Sequence, residues 1–336
     1  KTMKKLLTLL LIVMGAIYSY AIPAYPEKIE FTQPDGSKIY LYLKGDEKVH
    51  WAETLDGYTL IFNDKGFYEY AQQNSKGDLE TSGIIAHNIE QRSVQEINFL
   101  KNTSKRLYYS KNQVEILKQI WEIYEKQDNN YRDFPTTGER KLICILIGFQ
   151  DVPFTLQQSD FNSLFNQVGY TYDNATGSVN DYYMEVSYGQ FNLTVDIAGP
   201  YQASQNRVYY GGSGGDPRQL TAEAIEFADN DVDFSQYDND QDGWVDGVYI
   251  IFAGHGEEAG APEEAIWSHA WNLSSAVQKD GVWLQRYSCS PEFRGSSGTG
   301  ITRIGVICHE FGHVLGAPDF YDTNYETGGQ FDGTGK

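Results

Sequence analysis

Cysteine is scarce in this chain, three in 336 residues, and methionine is equally rare. Cys144, Cys289 and Cys308 allow at most one bridge and one spare thiol, which excludes a disulfide-framework domain. Their spacing leaves open whether Cys289 and Cys308 pair. Basic residues are also few, 26 Lys and Arg against 46 Asp and Glu, for a net charge of −20. A surface of that sign repels phosphate, so nucleic acid is excluded as a partner. Internal repeats and low-complexity tracts are missing, which excludes solenoids. Long apolar runs are missing as well, and the longest, Leu6 to Ile17, is short for a membrane span.

Apolar material is ample, with 40% hydrophobic and 14% aromatic residues, enough for two cores. Lys4 and Lys5 precede the Leu6–Ile17 run and Ser19-Tyr20-Ala21 follows it. This is a charged segment, an apolar segment and a small-x-small cleavage site, so residues 1–21 read as a secretory signal. An exported protein without a stable membrane anchor is expected. At the other end only 23 residues follow His313, and the Gly-rich Gly333–Lys336 reads as a truncation.

Between these ends the chain divides in two. Residues 22–135 form a β-rich segment in which Asp35-Gly36, Asp56-Gly57, Lys65-Gly66 and Lys76-Gly77 punctuate short apolar runs. An amphipathic helix over 112–127 and a polar linker over 128–139 close it. Residues 136–336 then hold nearly all the excess charge, 28 acidic against 9 basic side chains. Lys141–Phe149 and Val248–Phe252 are continuous apolar runs suited to buried strands. Gly177–Glu185 reads as a helix capped by Ser178 or Asn180, Ser187–Ile197 as a strand or hairpin, and Thr221–Asp229 as a helix.

The chemistry concentrates at His309-Glu310-Phe311-Gly312-His313. Residues four apart share a helix face, so His309 and His313 aim at one point, with Glu310 beside it. Two imidazoles and an adjacent glutamate are what zinc-dependent peptide hydrolysis needs: a partly open zinc site and a base for water. Ile304, Ile307, Phe311, Val314 and Leu315 supply the buried stripe, Gly316 a helix end, and Pro318 a stop. The turn at Gly316 can return Asp319 as a third zinc ligand.

A second candidate lies at Asp238-Asn239-Asp240-Gln241-Asp242-Gly243-Trp244-Val245-Asp246. Carboxylates at loop positions 1, 3, 5 and 9, Gly at 6 and the Trp244 carbonyl at 7 match the start of an EF-hand-type calcium loop. Asp238, Asp240, Asp242, Trp244 and Asp246 are therefore expected to hold a structural calcium. Position 12 is Tyr249, so the usual bidentate Glu is replaced by another segment or water. His255, His269, Glu257, Glu258, Glu263 and Glu264 could serve a cleft or a second ion. Isolated polar residues beside strand ends are more often structural.

The extended motif His309–Asp319, the following Phe-Tyr-Asp, the 238–246 loop, Gly177–Gly189 and Ile266-Trp267-Ser268-His269 together resemble the immune inhibitor A family of secreted bacterial metallopeptidases. Ala24-Tyr25-Pro26, Gln33–Gly36 and His50-Trp51 resemble its pro-segments. The resemblance implies an α+β fold, a zincin related to the metzincins, preceded by a pro-segment. It also implies His309, His313 and Asp319 as zinc ligands, Glu310 as general base, and protein or peptide substrates. Asp322 is a rival third ligand, and the Met-turn expected beneath the zinc is placed beyond Lys336. The competing reading is a catalytically inert, calcium-stabilised surface protein, against which the intact Glu310 speaks.

Overall fold

The computed structural model describes residues 20–21, 24–63, 65–125, 134–212, 214–262 and 264–319. Most of the proposed signal, Glu263, Asp322 and the Gly-rich tail lie outside these residues.

The amino-terminal unit is a six-stranded antiparallel meander, β2 (Ile29–Thr32), β3 (Lys38–Gly45), β4 (His50–Thr54), β5 (Thr59–Phe62), β6 (Tyr68–Gln73) and β7 (Leu79–Ile85). Each strand pairs with the next because short glycine turns join them. Gly36, Gly57, Gly66 and Gly77 all take positive φ, which glycine adopts at little cost. One face is apolar: Ile29, Ile39, Leu41, Ala52, Leu60 and Tyr70 form a core closed by Leu100 of α1 (Val94–Leu100). Helix α2 (Lys111–Glu125) brings Val114 against Val49 at the β3–β4 turn.

The second unit is built on a mixed sheet in the order β1-β11-β12-β10-β8-β9. Its members are β1 (Tyr20–Ala21), β8 (Gly138–Gly148), β9 (Phe191–Gln202), β10 (Val248–His255), β11 (His269–Lys279) and β12 (Val282–Phe293). β9, β8, β10 and β12 run parallel, whereas β11 returns antiparallel to β12 and β1 pairs antiparallel with β11. The central strands are apolar without alternation because both faces are covered. Ile143, Ile145 and Ile147 face Leu220 and Ile225 of α5 (Pro217–Ala228). Leu142, Cys144 and Leu146 face the opposite layer: α3 (Gln158–Asn166), α4 (Val179–Val186) and α6 (Ile304–Val314).

Several expected boundaries move, and helix α5 starts at Pro217 rather than Thr221. Strand β8 begins at Gly138, inside the polar stretch expected to be linker, because Gly138 and Glu139 pair with Phe191 and Asn192 of β9. The expected strand or hairpin after Ser187 starts at Phe191 and runs on to Gln202. All three cysteines are free thiols buried in the core.

Candidate metal centre

Helix α6 carries the site, and its packing fixes where the histidines point. Ile307, Phe311 and Val314 enter the core against β8, and the Tyr183 hydroxyl donates to the Cys308 carbonyl at 2.8 Å. The helix ends as the sequence suggests. Gly316 takes φ 90°, its N–H donates to the His313 carbonyl and Ala317 N–H donates to that of Gly312. That pair of bonds is the Schellman arrangement, which reverses the chain tightly.

The reversal places Asp319 against both imidazoles. His309 Nε2 and His313 Nε2 lie 3.0 Å apart, and Asp319 Oδ1 lies 3.4 Å from the first and 3.5 Å from the second. Four ligands at zinc–ligand distances of about 2.0–2.1 Å form a tetrahedron with edges of about 3.3 Å. The three separations match that edge.

The protonation pattern fits as well. His313 Nδ1 donates to the Ala317 carbonyl at 2.8 Å, so its Nε2 lone pair points inward. Asp319 Oδ1 is buried without a hydrogen-bond partner, a costly state unless a cation faces it. Burial first, and then the neighbouring His309, push the His313 pKa down to about 3, which keeps it neutral as a ligand must be. Burial raises the Asp319 carboxyl, opposed by the adjacent His309 ring. The trio therefore fits a divalent cation. Glu310 is completely buried on the same helix, and its charge bears on Tyr249 and Cys289.

The second candidate is gathered only in part. Asp238, Asp240 and Asp242 each bring a carboxylate oxygen within 4.8 Å of the others. Asp246 turns elsewhere: its Oδ2 accepts from Asn239 N and Nδ2, both at 2.8 Å. Burial, together with the charges of Asp240 and Asp238, pushes Asp246 up to about 6. Trp244 bridges to Trp283 of β12. Asn239 also exchanges hydrogen bonds with the Lys141 backbone, tying the loop to β8.

The remaining polar candidates have structural partners. His269 is buried, with Nδ1 donating to the Trp267 carbonyl at 2.7 Å and Nε2 accepting from Tyr287 at 2.8 Å. Glu258 is buried and accepts from the Ser268 hydroxyl and amide. His255 Nδ1 lies 2.8 Å from the Gly295 carbonyl. Motif reading missed the Ala317 carbonyl and Arg286, which donates to the His313 carbonyl. The Gly316 turn fixes the first, while nothing local marks the second.

A mixed sheet laid over a helix that aligns two imidazoles with a returning carboxylate defines a candidate metal-dependent hydrolase. Residues 138–334 match the family described as Immune inhibitor A peptidase M6, catalytic domain, and the chain belongs to that family. It is 28% identical to the pre-pro-metalloprotease PrtV of Vibrio cholerae serotype O1, over 66% of this chain and 30% of that protein. It is 34% identical to Immune inhibitor A of Bacillus thuringiensis subsp. alesti, over 34% of this chain and 20% of that protein. The chain thus spans less than a third of the length of these curated relatives.

Proposed function

We propose that this chain is part of an exported zinc endopeptidase, a zincin in which His309, His313 and Asp319 hold the metal. The convergence of those three donor atoms at tetrahedral spacing carries the reading. Zinc bound there supplies Lewis acidity, lowering the pKa of a water and polarising the scissile carbonyl. Glu310 then acts as general base, taking the water's proton and delivering it to the departing amine. Residues 22–135 act as a pro-segment and residues 1–21 as an export signal. The name pre-pro-metalloprotease borne by the Vibrio relative agrees with such an order. Asp238, Asp240 and Asp242, with the Trp244 carbonyl, hold a structural calcium, while Asp246 stays bonded to Asn239 and steadies the loop.

The test is zinc content and casein cleavage by the processed chain, with and without chelator. Glu310→Ala is expected to keep one zinc per chain and lose cleavage by about a hundredfold or more. Full cleavage by that variant would remove Glu310 as base. Metal-free folded protein would remove the zinc reading altogether. The same assay separates an inert calcium-stabilised scaffold, which would bind calcium and cleave nothing.

A further inference from the structure

The β3–β4 turn belongs to the amino-terminal sheet yet lies over the metal centre of the second unit. Its sequence, Gly45-Asp46-Glu47-Lys48-Val49-His50, would be solvated at the tip of an isolated hairpin. Here Asp46 is 3% and Glu47 4% exposed. The preceding Ala24–Tyr25 segment and the second unit together hold the turn in place. Ala24 N–H donates to the Gly45 carbonyl and Tyr25 N–H to that of Glu258, both at 2.8 Å. The His50 ring stacks on Trp267 at 5.2 Å, and His50 Nε2 lies 3.8 Å from Glu257.

The turn is rigid. Gly45 takes φ 90°, and a Cβ there would meet the Val49 carbonyl oxygen at 1.9 Å. Asp46 Oδ1 accepts from Lys48 N and Val49 N, and Val49 is packed against Val114 of α2. The charges of Asp46 and Lys48 act on Asp319, and that of Lys48 acts on His313, so the turn sits at the metal face. Glu47 is the unexplained member. Both its carboxylate oxygens are buried without a hydrogen bond, and the nearest cation is Lys48 at 4.0 Å. Asp46 and Asp319 add negative charge beside it. A buried carboxylate among carboxylates is costly unless a cation balances it.

We propose that the Gly45–His50 turn is the internal cover of the metal centre and that Glu47 is the carboxylate it presents to the bound metal. This rests on His309, His313 and Asp319 holding that metal. The amino-terminal sheet then keeps the site closed through one acidic residue, without a cysteine. Release requires the turn to leave, by cleavage of the segment or by separation of the two units.

The test uses the whole chain carrying Glu310→Ala, which prevents self-cleavage, with Glu47 intact or changed to Gln. Without metal, Glu47→Gln removes a buried, repelled charge and is expected to raise the melting temperature. With zinc bound, the same change removes the partner of the cation and is expected to lower it. Loss of zinc to a chelator is expected to quicken by about tenfold or more, the scale for supporting groups at metal sites. With Glu310 restored, uncut Glu47→Gln chain is expected to cleave casein where the parent does not. A melting shift of the same sign with and without zinc, together with unchanged zinc loss, would overturn the role of Glu47 while leaving the zinc site standing. A Glu310→Ala parent that binds no zinc would fail at the site itself.

Discussion

His269 shows how a histidine beside the candidate site is committed to structure rather than chemistry. Both ring nitrogens are engaged in the neutral form, one donating to the Trp267 carbonyl and the other accepting from Tyr287. Burial pushes its pKa down to about 4, from an ordinary value of 6.5. The unfolded chain therefore takes up a proton near pH 6.5 that the folded chain refuses until near pH 4. Above that window His269 contributes nothing to the pH dependence; within it, each lost pH unit costs stability. The full effect is about 3 kcal/mol. Buried carboxylates with raised values, Glu258 and Asp319 among them, push the other way over the same range. The comparison must therefore be with His269→Gln, whose amide can keep one donor and one acceptor. Urea midpoints of the metal-free chain between pH 7.5 and pH 4.5 are expected to fall more steeply for the parent than for the variant. Parallel slopes would show that His269 is not held neutral.

Among the elements, α6 is the one on which the site depends, and its final turn is more critical than its length. Gly316 sits in the left-handed region with nothing within 4 Å of where a Cβ would stand. Any penalty for a side chain there is conformational rather than steric, about 1–2 kcal/mol for a β-branched residue. Gly316→Val is expected to lower the stability of the metal-free chain by that amount. Because the turn also aims Asp319 and the Ala317 carbonyl, the variant is expected to bind zinc at least tenfold more weakly by competition with a chelator. Gly316→Asn, which tolerates the left-handed region, is expected to recover most of both losses. Equal zinc affinity in all three proteins would mean that the turn does not position Asp319. This element was legible in the sequence because apolar spacing, glycine and proline agree over fifteen residues, from Ile304 to Pro318. Strands β8 and β10 were legible for a similar reason, since each is an apolar run buried on both faces. Strand β12 was not. Its buried residues include Ser288, Ser290, Pro291 and Glu292, which hydropathy assigns to a surface. Glu292 is buried because Oε1 accepts from Thr155 N and Leu156 N and Oε2 from Gly254 N. Those partners lie far away in the chain, and no local pattern records them. The cover at Gly45–His50 escaped for the same reason, since the burial of its charges depends on a unit that begins about ninety residues later.

For the whole molecule, the division of charge into a nearly neutral first unit and a strongly acidic second one sets what divalent cations can do. The second unit concentrates its acid where Asp238, Asp240 and Asp242 face one another, next to an Asp246 pushed up to about 6. That loop leads directly into β10 and is bonded through Asn239 to β8, so its repulsion acts on the two central strands. Calcium there would relieve the repulsion and stiffen the sheet that supports α6. The first unit has its own core and takes no part in the loop. Calcium is therefore expected to stabilise the second unit selectively. At a free concentration a hundred times the dissociation constant, binding contributes about 2.7 kcal/mol. For a unit of about two hundred residues, this corresponds to a rise of about 5–10 °C in melting temperature. Differential scanning calorimetry of the whole chain is expected to show that rise in calcium over EGTA, and Asp240→Asn is expected to abolish most of it. Zinc must be held constant throughout, since it stabilises the same unit by the same mass action. A melting profile indifferent to calcium, or an equal rise in Asp240→Asn, would mean that the loop carries its charge without a metal. The acidity of the second unit would then need to be balanced by solvent and counterions alone.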